Sequence, residues 1–333
     1  MLRPVSIKEE RHLGPAEDAR RVLAHFHSSL AAAGADIAEV RRQYAARYRP
    51  LIAELDEGGA VTFVPAENDR PALAVIRPAA PDGGPLPALV FFHGSGWTFG
   101  DLDVYEPFCR RLANATGCAV VWVEYRLAPE HPFPAPLTDV RTAYRWIIDN
   151  ASGLGLDAGR IGVVGDEAGG NLAAVLCLAE RDERGGRLPW VQVLLCPSLD
   201  MSACMNSHKM FASGYGLDAQ THSWYRHNYA PDAVKPCLWR LSPLFAHDVK
   251  RLPPAVILYA GYDILRDEAE AYANRLEDAD VPLRRLYFPD MIHGFVTMGR
   301  AIAAADTAIH RIAAALRGLV EPRSSGGVLR LVR

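Results

Sequence analysis

The chain has 333 residues, of which 50% are hydrophobic and 23% are charged, enough for one large core and a modest additional segment. The net charge of −3 gives no attraction to nucleic acid or to an anionic membrane surface. No apolar run reaches the roughly 18 residues that predict a membrane-spanning helix. These properties favour a globular protein with a small-molecule partner, no nucleic-acid partner and no insertion into a membrane.

The N-terminal residues and the cysteines indicate the cellular compartment of the protein. Met1–Pro4 is followed by charged residues, which is not the pattern of a secretory signal. The six cysteines show no C-x-x-C pairing, and Cys177 and Cys196 lie in apolar runs where buried thiols are expected. We therefore expect a location in the reducing cytoplasm.

The predicted elements alternate along most of the chain. Residues 8–56 carry amphipathic patterns, for example at 18–24 and 37–42, that predict helices ahead of the first strand. Apolar segments then predict eight strands, near 61–66, 72–77, 87–92, 119–124, 160–164, 190–195, 255–260 and 283–288. Helical patterns fall near 105–116, 136–149, 169–182, 266–278 and 300–316. The alternation predicts an α/β fold with a mostly parallel eight-stranded sheet, helices on both faces and one antiparallel strand near its start.

Two segments outside this alternation are predicted to form a helical cap. They are residues 1–56 and 201–250, which flank and interrupt a core made of 57–200 and 251–320, while 321–333 is predicted to be a flexible tail. The second cap segment is rich in Met, His, Tyr and Trp. Four aromatic residues are candidates for an apolar substrate pocket, with ordinary packing as the alternative. They are Trp97, Tyr215, Tyr225 and Tyr229.

A sharp turn is predicted where the string GDEAGGN (165–171) separates an apolar strand from an Ala- and Leu-rich helix. This strand–turn–helix context is typical of a nucleophile elbow, whose usual form is G-x-S-x-G. Gly165 and Gly169 occupy the glycine positions, where a side chain would block the turn. Glu167 occupies the central position, so a carboxylate is expected to stand where a serine would attack.

Three further segments complete a candidate catalytic site. Gly94, Ser95 and Gly96 follow an apolar strand and are predicted to turn backbone N–H groups toward the elbow, where they would bind a developing oxyanion together with the N–H of Ala168. Asp263 and His293 lie at the ends of two later strands. The chain order elbow, Asp, His is the order expected of an α/β-hydrolase.

On these motifs the chain resembles the hormone-sensitive-lipase-like branch of the α/β-hydrolases, its microbial esterases in particular. The matching strings span roughly residues 60–320 and are HGSGWTFGDLD (93–103), EYRLAPEHP (124–132), GDEAGGN (165–171), DILRDE (263–268) and MIHGF (291–295). The resemblance implies that Asp263 and His293 are the acid and base of a triad. Two positions depart from the family: Ser95 replaces a glycine, and Glu167 replaces the nucleophilic serine.

The carboxylate of Glu167 changes the chemistry expected of the site. Its reference pKa is about 4.3, whereas the alkoxide expelled from an ester has a conjugate acid near about 15.7, so a tetrahedral intermediate would expel the carboxylate again. We therefore expect weak turnover of ordinary esters. A carboxylate can open an epoxide or displace a halide at saturated carbon, leaving an alkyl ester that water then hydrolyses with help from His293 and Asp263.

The expected function is a hydrolase for a small or medium apolar oxygen-containing substrate of the ester, lactone or epoxide type, with a Glu167–His293–Asp263 triad. Two alternatives remain. One is a lyase or cyclase of specialised metabolism with Glu167 as general base, and the other is a catalytically inactive ligand-binding pseudoenzyme. A substitution introduced at position 167 would also explain the glutamate. No phosphate loop or metal-ligand cluster is recognisable, so we expect no cofactor and no metal. A homodimer is a further expectation, because related folds often pair through an outer strand or helix.

Overall fold

An eight-stranded sheet runs through the computed structural model, which describes residues 14–26, 36–55, 59–81, 83–230 and 234–320. The strands are β1 (Val61–Val64), β2 (Leu73–Ile76), β3 (Leu86–Phe92), β4 (Ala119–Val123), β5 (Leu156–Asp166), β6 (Gln192–Leu195), β7 (Ala255–Tyr262) and β8 (Leu283–Ile292). Their order across the sheet is β1-β2-β4-β3-β5-β6-β7-β8. β2 is antiparallel to both of its neighbours, and all other neighbouring pairs are parallel. The parallel strands therefore end at one edge of the sheet, where α/β proteins usually place their sites.

The central strands are buried on both faces because their sequences are almost continuous apolar runs. β4 reads AVVWV and β6 reads QVLL, and every residue of both strands is buried. Such runs suit parallel strands that are covered on each side. β1 reads VTFV and leaves its two middle residues exposed, because it lies at the edge of the sheet.

The described residues form the helices α1 (Glu17–Leu23), α2 (Ile37–Tyr48), α3 (Leu102–Thr116), α4 (Ala135–Asp149), α5 (Ala168–Asp182), α6 (Asn206–Met210), α7 (Ala219–Tyr229), α8 (Arg266–Asp278) and α9 (Ala304–Val320). Six of them cover the two faces of the sheet. The helices α4, α5 and α8 share one large apolar cluster with the sheet. The helices α1, α3 and α9 share the other.

A third, smaller apolar cluster joins the loop after β3 to both segments that were predicted as cap. It contains Val40 and Tyr44 of α2, Phe99 of the loop and Tyr225 of α7. α1 differs, because its buried residues pack with α3 and α9 on a face of the sheet. The predicted domain boundaries stay predictions, and the predicted tail at 321–333, like residues 1–13 and 27–35 of the first cap segment, lies outside the described residues.

The predicted α/β-hydrolase fold is confirmed, with its mostly parallel eight-stranded sheet and its helices. β5 begins at Leu156, earlier than predicted, and α9 begins at Ala304 because a short 3-10 helix (Phe295–Thr297) and turns precede it. Cys177 and Cys196 are buried, as predicted. Within the described ranges, none of the helices has the length and apolar character needed to cross a bilayer.

Candidate active site

Glu167 stands at the turn between β5 and α5 in a backbone conformation that residues with side chains rarely adopt. Its φ is 46° and its ψ is −103°, and the residue is 2% exposed. The turn is held from both sides, because the N–H of Glu167 donates to the carbonyl of Leu195 at 2.9 Å and its own carbonyl accepts from the N–H of Ser198 at 3.1 Å. A strained backbone held in this way fixes the direction of its side chain.

Two glycines allow β5 and α5 to approach closely at this turn. A Cβ at Gly165 would lie 2.1 Å from the carbonyl oxygen of Gly169, and a Cβ at Gly169 would lie 1.9 Å from the carbonyl oxygen of Phe92. The first atom would overlap the backbone of α5 and the second the backbone of β3. The sharp turn between β5 and α5 therefore requires glycine at both positions.

The carboxylate of Glu167 is held by the loop after β3. Its Oε2 accepts a hydrogen bond from the N–H of Gly96 at 2.6 Å, and the adjacent N–H of Ala168 favours the charged form of the carboxylate. Its Oε1 is buried and has no hydrogen-bond partner among the described residues. One oxygen thus occupies the place predicted for an oxyanion, and the other is available for chemistry.

The loop turns sharply, because Ser95, Gly96 and Trp97 have φ values of 71°, 63° and 56°. A Cβ at Gly96 would lie 2.0 Å from the ring of Tyr225, so the glycine lets α7 close over the loop. The N–H of Gly94 does not reach Glu167 but donates to the hydroxyl of Tyr105 at 3.2 Å. Of the predicted donors, Gly96 therefore makes a hydrogen bond to the carboxylate.

Ser95 contributes a side chain that the sequence pattern did not anticipate. Its hydroxyl lies 3.2 Å from the hydroxyl of Tyr105 and makes a short hydrogen bond with the hydroxyl of Tyr44 in α2. The hydroxyl of Tyr105 in turn donates to Oδ2 of Asp166 at 3.1 Å. The serine that replaces the family's glycine therefore joins α2, α3 and the elbow in one chain of hydrogen bonds.

Asp263 and His293 are paired at the ends of β7 and β8. Oδ2 of Asp263 lies 2.9 Å from Nδ1 of His293, and its Oδ1 accepts from the N–H of Leu265 at 2.8 Å. This arrangement leaves Nε2 of the imidazole for a reacting group. Burial opposes a charge on the ring, but Asp263, Glu167 and Asp166 outweigh it and raise the pKa of His293 to about 9. The ring is therefore an imidazolium at neutral pH.

Two neighbouring carboxyl groups face this imidazolium. Burial raises the pKa of Glu167, although His293 and the N–H groups of Gly96 and Ala168 oppose the shift. Burial likewise raises the pKa of Asp166 to about 7, with His293 opposing and Glu167 adding to the effect. Asp166 is 4% exposed, and its Oδ1 has no hydrogen-bond partner in the described part of the chain. In the sequence, the one feature that indicates Asp166 as a site residue is its position next to Glu167.

Glu167, Asp166 and His293 line one cavity, which residues of both predicted cap segments also line. Much of the wall is aromatic and is formed by Phe26, Tyr44, Tyr48, Tyr105 and Tyr225. The cavity thus offers aromatic surface to a ligand together with charged groups, which include Arg47 and Asp218. Such a combination is typical of a small-molecule site.

Three of the four aromatic residues predicted to line a pocket lie elsewhere. Trp97 is fully buried and stacks on Tyr229 with ring centroids 4.2 Å apart, because its positive φ turns it into the core. Tyr215 stacks on Tyr262 with centroids 5.6 Å apart. Tyr225 lines the cavity, and the other three contribute to packing.

Cys196, which the sequence analysis predicted only as a buried thiol, adjoins the Asp263–His293 pair. Donor atoms of these three residues lie within 4.8 Å of one another, close enough to hold a metal ion. Burial raises the pKa of the Cys196 thiol, and Asp263 adds to the effect. A metal would have to displace the thiol proton and the bond between Asp263 and His293.

Comparison with known proteins identifies the class. The model of a family with the alpha/beta hydrolase fold matches residues 89–297. The carboxylic ester hydrolase LipN of Mycobacterium tuberculosis is 38% identical over 271 residues, which cover 80% of this chain and 70% of the relative. The ethyl acetate hydrolase of Pseudomonas putida is 35% identical over 286 residues, covering 84% of this chain and 89% of the relative.

A solved structure agrees with these relatives. The ester-hydrolase EH1AB1 from the metagenome of Lake Arreo superposes with a TM-score of 0.86 at 36% identity, covering 91% of this chain and 98% of that one. The chain therefore belongs to the alpha/beta hydrolase fold family, in its esterase-type, hormone-sensitive-lipase-like branch, and is an enzyme of the hydrolase class.

Proposed function

We propose that the chain is a hydrolase in which Glu167 replaces serine as the nucleophile and attacks a saturated carbon of a small or medium apolar substrate, with an oxirane ring as its electrophile. The observation that carries this proposal is the asymmetry of the carboxylate. Oε2 accepts from Gly96 at 2.6 Å, while buried Oε1 has no partner among the described residues. A nucleophile needs one such unengaged oxygen in a position fixed by its neighbours.

In the first step Oε1 forms a bond to a ring carbon and the bond from that carbon to the ring oxygen breaks. The ring oxygen takes the proton from Nε2 of His293, which is an imidazolium because burial, which disfavours the charge, is outweighed chiefly by Asp263 and the pKa is raised to about 9. The products are an alkyl ester on Glu167, a free hydroxyl group and a neutral imidazole. The ester no longer carries a charge, so one of the causes of the raised pKa of His293 is gone.

In the second step neutral His293 takes a proton from water, and the hydroxide attacks the carbonyl carbon of the Glu167 ester. The negative oxygen that forms is Oε2, which already accepts from the N–H of Gly96 at 2.6 Å, and the adjacent N–H of Ala168 favours a negative charge on the same group. Collapse of this intermediate releases the diol oxygen, which takes its proton from His293. The carboxyl group then returns a proton to the imidazole, and the starting charges are restored.

Ordinary carboxylesters and lactones fit this site less well. Attack by Glu167 on an acyl carbon would give an anhydride, and the carboxylate is a far better leaving group than the alkoxide. Oε2 also occupies the N–H of Gly96, a donor that would have to stabilise an ester's oxyanion. We therefore propose that carboxylesterase activity is weak, although the named relatives are ester hydrolases.

Three further proposals go with this function. The partner is a small molecule, because the groups with reactive chemistry share one cavity. The compartment is the cytoplasm, which agrees with six free thiols. The chain forms a homodimer through an outer element of the fold.

The covalent step is tested by intact-protein mass spectrometry after incubation with styrene oxide. His293→Ala should accumulate a species heavier by one molecule of epoxide, because the ester forms without its base for hydrolysis. Peptide mapping should place the added mass on Glu167. The double variant Glu167→Gln, His293→Ala should gain no mass at that peptide.

The same experiment separates the alternatives. A lyase or cyclase with Glu167 as general base would leave no adduct, yet its reaction would need Glu167. An inactive ligand-binding protein would neither gain mass nor convert the epoxide. An unmodified Glu167 peptide in His293→Ala, with the wild-type protein still producing diol, would contradict the nucleophilic role.

A further inference from the structure

Asp166 and Glu167 are adjacent carboxyl groups that share one cavity with His293. Both are at least 96% buried, and each has one oxygen without a hydrogen-bond partner among the described residues. Their other oxygens are engaged, by Tyr105 for Asp166 and by Gly96 for Glu167. Two like charges so close together disfavour ionisation of both carboxyls. One carboxyl of such a pair can therefore act as a base while the other keeps its proton and acts as an acid.

The charges around the pair indicate which carboxyl carries a proton. The groups that face Asp166 are Glu167, His293, Asp263 and the hydroxyl of Tyr105. Three carboxyls therefore share a single imidazolium in a buried site. Asp263 is bonded to that imidazolium and to a backbone N–H, whereas Asp166 accepts one hydrogen bond, from Tyr105. The negative charge of Asp166 is therefore stabilised less than that of Asp263. This agrees with the pKa of Asp166, which burial raises to about 7.

The hydrogen bond between Tyr105 and Oδ2 of Asp166 bears on where that proton sits. When Tyr105 gives its one hydroxyl proton to Oδ2, Ser95 donates to Tyr105 and Tyr44 donates to Ser95, since each hydroxyl has a single proton. The three hydroxyls then form one chain of donors that ends at Oδ2. In that arrangement the proton of neutral Asp166 lies on Oδ1, the oxygen without a partner among the described residues.

We propose that neutral Asp166 donates a hydrogen bond from Oδ1 to the substrate oxygen that leaves carbon when Glu167 attacks, and that this contact selects an oxygen leaving group over a halide. The inference rests on the proposed function. As the ring bond breaks, its electron pair stays on the ring oxygen, which takes the proton of His293 while Asp166 keeps its own. A halide leaves as an anion and needs no such acid.

Two probes of similar size, styrene oxide and benzyl chloride, separate the role of Asp166 from that of Glu167. Both present a benzylic carbon, but one releases an oxygen and the other a chloride. The rate at which Glu167 is alkylated is measured by acid quench and peptide mapping. Asp166→Ala should slow alkylation by styrene oxide at least about tenfold, the effect of losing one hydrogen bond in a dry site, and leave alkylation by benzyl chloride within about threefold.

Asp166→Asn is the matched variant, because its amide oxygen can accept from Tyr105 and its NH2 group can donate where Oδ1 stood. It should alkylate with styrene oxide within about threefold of wild type. The wild-type rate with styrene oxide should fall as the pH rises through about 7, where Asp166 loses its proton, because burial and Glu167 place its pKa there. Asp166→Asn should show no fall at that pH. Tyr105→Phe should move the fall to higher pH, since it removes a hydrogen bond that lowers the pKa of Asp166.

The possible failures are distinguishable. Unchanged alkylation by styrene oxide in Asp166→Ala overturns the role of Asp166 and leaves Glu167 as the nucleophile. An equal loss with both probes also overturns it, because the aspartate would then merely support the elbow. Absence of Glu167 alkylation by either probe in the wild-type protein overturns the proposed function, and this inference falls with it.

Discussion

At the scale of single residues, the side chain of Glu167 already holds a backbone donor of the predicted oxyanion hole. A serine would leave the N–H of Gly96 for an oxygen of the substrate, whereas Oε2 of Glu167 accepts from it at 2.6 Å. In the mechanism that we propose, this donor serves the carbonyl of the ester formed on Glu167. It would then stabilise charge on the protein and not on the substrate.

Glu167→Ser should therefore restore ordinary esterase chemistry. The serine would vacate the N–H groups, and His293, paired with Asp263 at 2.9 Å, would act as its base. We expect the rate of p-nitrophenyl acetate hydrolysis to rise at least about a hundredfold over wild type, a modest part of what a complete triad contributes. The release of p-nitrophenolate in a spectrophotometer gives the rate.

Glu167→Ala is the control, because it also empties the N–H groups but supplies no nucleophile. If the serine and alanine variants hydrolyse the ester at the same rate, the imidazole and the N–H groups are not arranged for acyl transfer. The inherited machinery that we assign to this site would then be absent.

Single residues also show where sequence reasoning stopped. Asp263 and His293 could be found because each follows an apolar strand, and parallel strands end at a common edge. Asp166, Tyr44 and Tyr105 could not be assigned to the site in this way. Their roles depend on which hydroxyl meets which oxygen, and such contacts form between α2, α3 and the elbow, which are far apart along the chain.

At the scale of elements, the elbow depends on the close approach of β3, β5 and α5. Gly169→Ala would place a Cβ 1.9 Å from the carbonyl oxygen of Phe92 in β3. The overlap is with backbone in the centre of the sheet, so relief requires a shift of α5. We expect the free energy of unfolding to fall by about 3 kcal/mol or more, as measured by urea denaturation.

Gly153→Ala is the matched control, because it adds the same methyl group where the nearest atom is the carbonyl oxygen of Asn150 at 3.5 Å. It should change the free energy of unfolding by less than about 1 kcal/mol. Equal effects of the two alanines would show that α5 is not packed against β3 as closely as described.

The second predicted cap segment shows what sequence composition can predict about its aromatic residues and what it cannot. Aromatic residues at 215, 225 and 229 could be placed in a cap segment from composition alone, but not directed toward a cavity. Only Tyr225 of the three lines it, because α7 presents that ring to Gly96. Tyr229 sits one turn further on and stacks on Trp97 in the core.

At the scale of the whole molecule, the core encloses most of the thiols. Cys109, Cys118, Cys177 and Cys196 are buried, and Cys204 and Cys237 are exposed. Two of the six thiols should therefore react rapidly with Ellman's reagent in the native protein, and all six in denaturant. Rapid reaction of three or more native thiols would contradict the packing of one of the buried cysteines.

The fold as a whole was the easiest feature to predict. Apolar runs of four to eight residues alternating with helical patterns leave few arrangements besides a covered parallel sheet. Element boundaries were harder, as at β5 and α9, because they depend on turns and caps that carry weaker signals. The reversal of β2 followed from the short connection after β1, which allows only an antiparallel partner.

The central claim is that an oxygen of Glu167, and not one of water, bonds first to the substrate. A single turnover of styrene oxide in water enriched in oxygen-18, with enzyme in excess, tests it directly. We expect the label in the peptide that contains Glu167 and an unlabelled diol, because water attacks the carbonyl of the ester. Label in the diol with an unlabelled Glu167 peptide would contradict the claim.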